Sequence, residues 1–198
     1  VVKSFHSDNA PEIKAAATEL GWSHDTGTPF RSETNGVAER AIRHVEEGTR
    51  ALLEHGGFGP EFWPLAAQCF CHHANTVVVD GVSPWDQRHG QGHWSRMQVP
   101  FGALVDFMPP KPLAKELAKF GPKAIPGLFL GYYLQPGCEF SGDYLVAPLK
   151  ALDGGKHQLA DGNVGRLKYY RVKEVAFDAE NIVFPLREAR GKETRTIE

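Results

Sequence analysis

The apolar residues of this chain change their spacing part-way along it, and that change limits the folds open to it. Between Thr34 and Leu53, Ala38, Ala41, Ile42, Val45, Thr49, Leu52 and Leu53 recur at intervals of three, four and seven. That is the stripe of one helical face. Glu39, Arg43, Glu46, Glu47 and Arg50 fall on the other side. Gly56-Gly57 ends the helix, and a second is expected from Pro60 to Thr76, burying Phe62, Leu65, Ala66, Cys69 and Phe70. The short glycine-rich link makes the two an αα-hairpin. Upstream, residues 1–7 read as a strand and 11–20 as a helix opened by Pro11 and closed by Gly21. A short strand follows, and then 26–33, TGTPFRSE, reads as a loop. Beyond Pro100 the pattern shortens. Residues 101–107, 127–134, 143–149 and 168–177 read as strands, divided by turn signals such as Pro136-Gly137. The expected fold class is α/β then β, with a small barrel as the second part. The polar, glycine-rich stretch 80–97 is the joint between domains. The charged tail 187–198 lacks apolar content and is expected to fray.

Composition narrows the function classes. The 198 residues are 41% hydrophobic and 23% charged, as in ordinary soluble proteins. No apolar run approaches the roughly 20 residues that span a bilayer, so no membrane partner is expected. Three cysteines, Cys69, Cys71 and Cys138, make no disulfide framework and suit an intracellular, reducing location. Net charge is −2, with 8 Lys and Arg against 12 Asp and Glu in residues 1–100, and 14 against 12 in 101–198. Any contact to nucleic acid is then local, made by a few basic side chains. The opening Val1-Val2-Lys3, without Met, reads as a piece of a longer polypeptide.

Two acids draw attention, each with a plain structural explanation beside it. Asp8 follows a strand inside His6-Ser7-Asp8-Asn9. It can ligate a metal at the strand end or cap the next helix. Glu39 lies in the first turns of its helix, where the dipole favours a carboxylate, and one turn before Arg43. Together the two acids, from a strand end and a helix, can hold Mg²⁺ through hard oxygen ligands. A third acid would allow the two-ion chemistry of in-line phosphoryl displacement. Arg43 could then meet a phosphate and Asn35 the nucleic acid near the scissile bond. Cys69-Phe70-Cys71-His72-His73 is tempting as a zinc site, but on a helix these side chains diverge. A core cysteine with partly exposed histidines is the expectation there. His89 and His93 would need further ligands to bind a metal. Lys111, Lys115, Lys119 and Lys123 form either a solvated connection or a contact to a DNA backbone. Tyr132, Tyr133, Tyr169 and Tyr170 are expected in the core, with base stacking as the alternative.

His6-Ser7-Asp8-Asn9 followed by Thr34-Asn35-Gly36-Val37-Ala38-Glu39-Arg40 resembles the integrase region of copia-type retrotransposon Pol polyproteins. "NGVAER" is the specific part of the match. His24, Pro29-Phe30, Phe62-Trp63, Ala74-Asn75 and Ser83-Pro84-Trp85 resemble further stretches of that family's core. Val99-Pro100-Phe101-Gly102, the run Pro126 to Tyr132 and Val175-Ala176-Phe177-Asp178 resemble its SH3-like module. The resemblance implies the C-terminal half of an RNase H-like integrase core over 1–79, a linker over 80–97 and an SH3-like β-barrel over 98–186. It implies DNA integration by metal-dependent 3′-end processing and strand transfer in the intact protein. Asp8 and Glu39 match the second aspartate and the glutamate of the family's three catalytic acids, and would be both catalytic and metal-ligating. Asn35, Arg43, Lys115 and Lys119 would contact DNA. The implied cofactor is Mg²⁺ or Mn²⁺, as two ions only in the three-acid site. The implied partners are the element's ends, target DNA and, when intact, further copies of the chain. The implied location is the nucleus or a virus-like particle. The first aspartate and the zinc module fall upstream of Val1, so the chain alone is expected to be inactive. The alternative is a decayed or host-retained module that binds nucleic acid without catalysis.

Overall fold

In a computed structural model, residues 4–7, 9–26, 36–90, 92–115, 117–152 and 167–195 are described. The chain forms two compact units, Val1–Glu46 and Glu47–Glu198.

In the first unit, β1 (Phe5–Ser7) and β2 (His24–Thr26) run parallel, with Phe5 opposite His24 and Ser7 opposite Thr26. Parallel neighbours need a crossover connection, and α1 (Pro11–Glu19) supplies it. Pro11 opens α1 where its missing N–H is no loss. Gly21, at φ +65°, reverses the chain at its end, and Trp22 N donates to Ala17 O. Ala17 is buried, and Phe5 lies against the rings of Trp22 and His24.

The division between units falls inside α2 (Gly36–Gly56). The expected buried face of this helix holds only in its second half. Thr49 and Leu53 are buried and Leu52 is half-buried, whereas Ala38 and Ala41 are exposed and Ile42 is 59% exposed. Periodicity says which side of a helix is apolar but not what covers it.

In the second unit, α2 is followed by a 3₁₀ turn (Pro60–Phe62) and α3 (Trp63–Thr76), as the Gly56-Gly57 break predicts. Next come α4 (Pro84–His89), β3 (Leu104–Phe107), α5 (Lys111–Ala114), β4 (Ile125–Gln135) and β5 (Glu139–Pro148). After them come β6 (Tyr170–Val172), β7 (Val175–Ala176) and α6 (Pro185–Arg195). The strands form one antiparallel sheet in the order β6-β5-β4-β3-β7, curled into a half-barrel. Register shifts in the β4–β5 pairing, between Phe129 and Gly131 and between Tyr132 and Leu134, mark the bulges that bend it. From Gly127 to Tyr132 every residue of β4 is buried, so this strand is apolar without alternation. α3 packs over it: a Cβ on Gly131 would stand 3.5 Å from that of Cys69. Phe62, Ala66, Cys69, Val99, Phe101, Leu128, Leu130 and Val146 share one core.

Three elements depart from expectation. The run 168–177 is not one strand but two, β6 and β7, which lie on opposite edges of the sheet. The stretch 80–97 contains α4, capped by Ser83, whose Oγ accepts from Asp86 N, and closed by Gly90 in the left-handed region. The tail does not fray at Arg187 but continues as α6 to Arg195, held by buried Leu186. The α6 backbone also sits so close to Gly57 that a Cβ there would lie 2.3 Å from Arg187 N. Phe184, packed on the core and against His55, and the Arg187–His55 hydrogen bond add to this docking of an otherwise polar segment. Among the described residues no helix is long and apolar enough to cross a membrane.

Candidate metal and nucleic-acid site

Glu39 stands in the first turn of α2 with its side chain in solvent, and Arg43 is exposed one turn later. Among the described residues the two do not form the ion pair that their spacing permits. Arg40 instead turns back, its Nε donating to Gly36 O at 3.1 Å. Asp8 and Asn35 lie outside the described residues; Asp8 directly follows the last residue of β1, Ser7. A divalent ion needs several oxygen ligands around one point. Among the described residues no three His, Cys, Asp or Glu side chains are grouped to hold one. Glu39 supplies one carboxylate, which does not make a metal site by itself.

The Cys69–His73 run behaves as helix geometry predicts for its cysteine and not for one of its histidines. Cys69 is fully buried, and burial pushes its thiol up. His72, expected to be partly exposed, is buried among the rings of Tyr132 (4.1 Å between centroids), Trp94 (4.6 Å) and Trp85 (5.7 Å). Loss of solvent, and then the neighbouring His73, lower its pKa to about 4. His73 is lowered too, by desolvation, and its Nε2 lies 3.1 Å from the Tyr132 hydroxyl. That hydroxyl also accepts from Val99 N at 3.0 Å. His89 lies against Trp85, with centroids 4.3 Å apart, and His93 Nδ1 is 3.2 Å from Ser83 Oγ; among the described residues neither belongs to a group of three metal-ligating side chains. Of the tyrosines, Tyr132 is buried and Tyr133 and Tyr170 half-buried, but Tyr169 is 41% exposed.

Lys115 ends α5, and Lys111, Lys119 and Lys123 are exposed with it. Beside them is a residue that sequence reasoning passed over: Phe120 is 94% exposed, with Lys119 Nζ 5.5 Å from its ring centre.

The chain is similar to retrovirus-related Pol polyproteins of plant transposons. Against that of transposon RE1 from Arabidopsis thaliana it is 29% identical over 140 residues, 67% of this chain and 9% of the relative. Against that of transposon TNT 1-94 from Nicotiana tabacum it is 29% identical over 160 residues, 75% of this chain and 11% of the relative. With that of transposon RE2, also from Arabidopsis thaliana, it shares 30% identity over 96 residues, 46% of this chain and 7% of the relative. The chain thus matches about a tenth of the length of these relatives. No family model matches it.

Proposed function

We propose that this chain is part of a retrotransposon integrase, and that the intact protein joins DNA by metal-dependent 3′-end processing and strand transfer. The observation that carries the reading is the similarity to Pol polyproteins over most of the chain. The Asp8 and Thr34–Arg40 motifs supply the choice of integrase among the activities of a polyprotein. In this reading residues 1–79, from β1 through α3, are the C-terminal half of an RNase H-like core, and the curled five-stranded sheet is an SH3-like module. Glu39, exposed on the first turn of α2, joins Asp8 as a ligand to Mg²⁺ or Mn²⁺. Arg43 and Asn35 hold DNA beside them, and Lys115 and Lys119 hold its backbone.

The test is strand transfer of short DNA ends, with Mg²⁺ or Mn²⁺, by the protein extended with the polyprotein sequence upstream of Val1. Glu39→Gln is expected to abolish joining, because an amide cannot replace the carboxylate charge on a metal. Joining that survives Glu39→Gln at full rate would remove the metal-ligand role.

A further inference from the structure

A cavity of about 560 Å³ opens between α3, α4 and the β4–β5 turn, wholly within the second unit. Its wall includes the ring systems of Trp85 and His89, three amides (Gln68, Asn75 and Gln135) and the guanidinium of Arg88. Among the described residues no carboxylate lines it. Its rear includes His72, whose Nε2 is buried without a hydrogen-bond partner among the described residues and whose low pKa leaves it neutral at pH 7. The cavity is therefore lined by aromatic residues, donor–acceptor amides and one positively charged side chain.

We propose that this cavity binds a nucleotide, supplied by an unpaired stretch of a DNA strand. Aromatic rings stack on a base face. Asn and Gln side chains carry a donor beside an acceptor and so can pair with the hydrogen-bonding edge of a base. A guanidinium matches a phosphate. The volume falls in the range of ordinary small-molecule sites. The turn that forms one side has a defined geometry. Gly137 takes φ +84°, as the third residue of a type II turn requires, and Cys138 N donates to Gln135 O at 3.0 Å. Only the choice of a DNA strand as the source of the nucleotide rests on the integrase reading.

The experiment titrates the full chain with free dAMP, deoxyribose 5-phosphate and the single strand dA8 by calorimetry. dAMP is expected to bind about tenfold more tightly than deoxyribose 5-phosphate, the effect of one stacked base. Gln135→Ala and Arg88→Ala alter exposed or half-exposed wall residues without touching the core, and each is expected to weaken dAMP about fivefold or more. Alkylation of Cys138, an exposed residue of the wall, is expected to slow when dAMP is bound. dA8 is expected to exceed dAMP about tenfold through its added backbone charge, with that excess lost in high salt. Equal binding of dAMP and the abasic sugar phosphate, or full binding by both variants, overturns the site. dA8 no tighter than dAMP overturns the DNA strand as its source. Neither result depends on strand transfer, so failure of the Glu39 test leaves this one readable, and the reverse.

Discussion

Lowering the pH from 7 to 4 should destabilise the second unit through one residue, His72. In the unfolded chain its imidazole has an ordinary value of 6.5, and in the fold the value is about 4. Between those two the unfolded chain binds a proton that the folded chain refuses, so stability falls as the pH falls through the window and levels off below it. The window spans about two and a half pH units, and each is worth about 1.4 kcal/mol for one proton, so about 3 kcal/mol is lost. For a unit of this size that lowers the melting temperature by about 10 °C. His73 is shifted in the same direction and steepens the loss. Asp143, held low chiefly by its hydrogen bond from Arg171, weakens the fold only at still lower pH, below the ordinary 3.8 of a carboxyl. Thermal or urea denaturation at pH steps from 7 to 4 measures the slope. His72→Leu provides the control, because a packing loss is the same at every pH and cancels from the slope. A variant that loses stability between pH 6.5 and 4 as steeply as the parent would refute the burial argument.

Three further outcomes follow from particular contacts. Gly57→Ala should cost about 2–4 kcal/mol in denaturation, combining left-handed backbone strain with a clash against the α6 backbone at 2.3–2.8 Å. It should also expose α6 to trypsin at Arg187; unchanged stability would mean that α6 is not seated there. Gly127→Ala should destabilise by about 1–3 kcal/mol, since its Cβ would meet Ala147 O, Phe107 and Val146 all at 2.7 Å. Lys115→Ala with Lys119→Ala should reduce the slope of log affinity against log salt for duplex DNA by about 1–2, the contribution of two phosphate contacts. A slope that does not change excludes the pair from the interface.

Much of the fold was readable from apolar runs and their bounds. The second half of α2 buries the face its spacing predicts, and β4 and β5 hold continuous apolar runs bounded by Gly and Pro turn signals. Three further features were not read, each for a different physical reason. α4 has only six residues and so has no period, although its Ser83 cap, Pro84 and Gly90 are start and stop signals in plain view. α6 is polar in composition and is docked by Leu186 and a close backbone contact at Gly57, neither of which leaves a pattern. His72 lies on the same helix as Cys69, but its burial depends on Trp85 and Trp94 arriving from a segment that reads as a polar joint. The cavity has the same origin. Its wall combines α3, α4 and a distant hairpin turn, so no local stretch of sequence contains it.

Glu39 stands out in the sequence for the opposite reason: it carries little of the fold. Glu39 is exposed, and an acid in the first turn of a helix gains only a few tenths of a kcal/mol from the dipole. Stability therefore gives almost no cause for Glu at that position, and Glu39→Gln should leave the melting temperature within about 1–2 °C of the parent. A substitution at Thr49, on the same helix but buried, should lower stability whatever the chain does. The two positions separate fold from function along one helix. If Glu39→Gln unfolds the protein, the carboxylate is a structural residue and the loss of joining in that variant says nothing about metal. If it leaves the fold intact and joining stops, the charge is required for the chemistry alone. That is why the motif around Glu39 could be recognised by resemblance when the helix rules by themselves pointed only to a solvated surface.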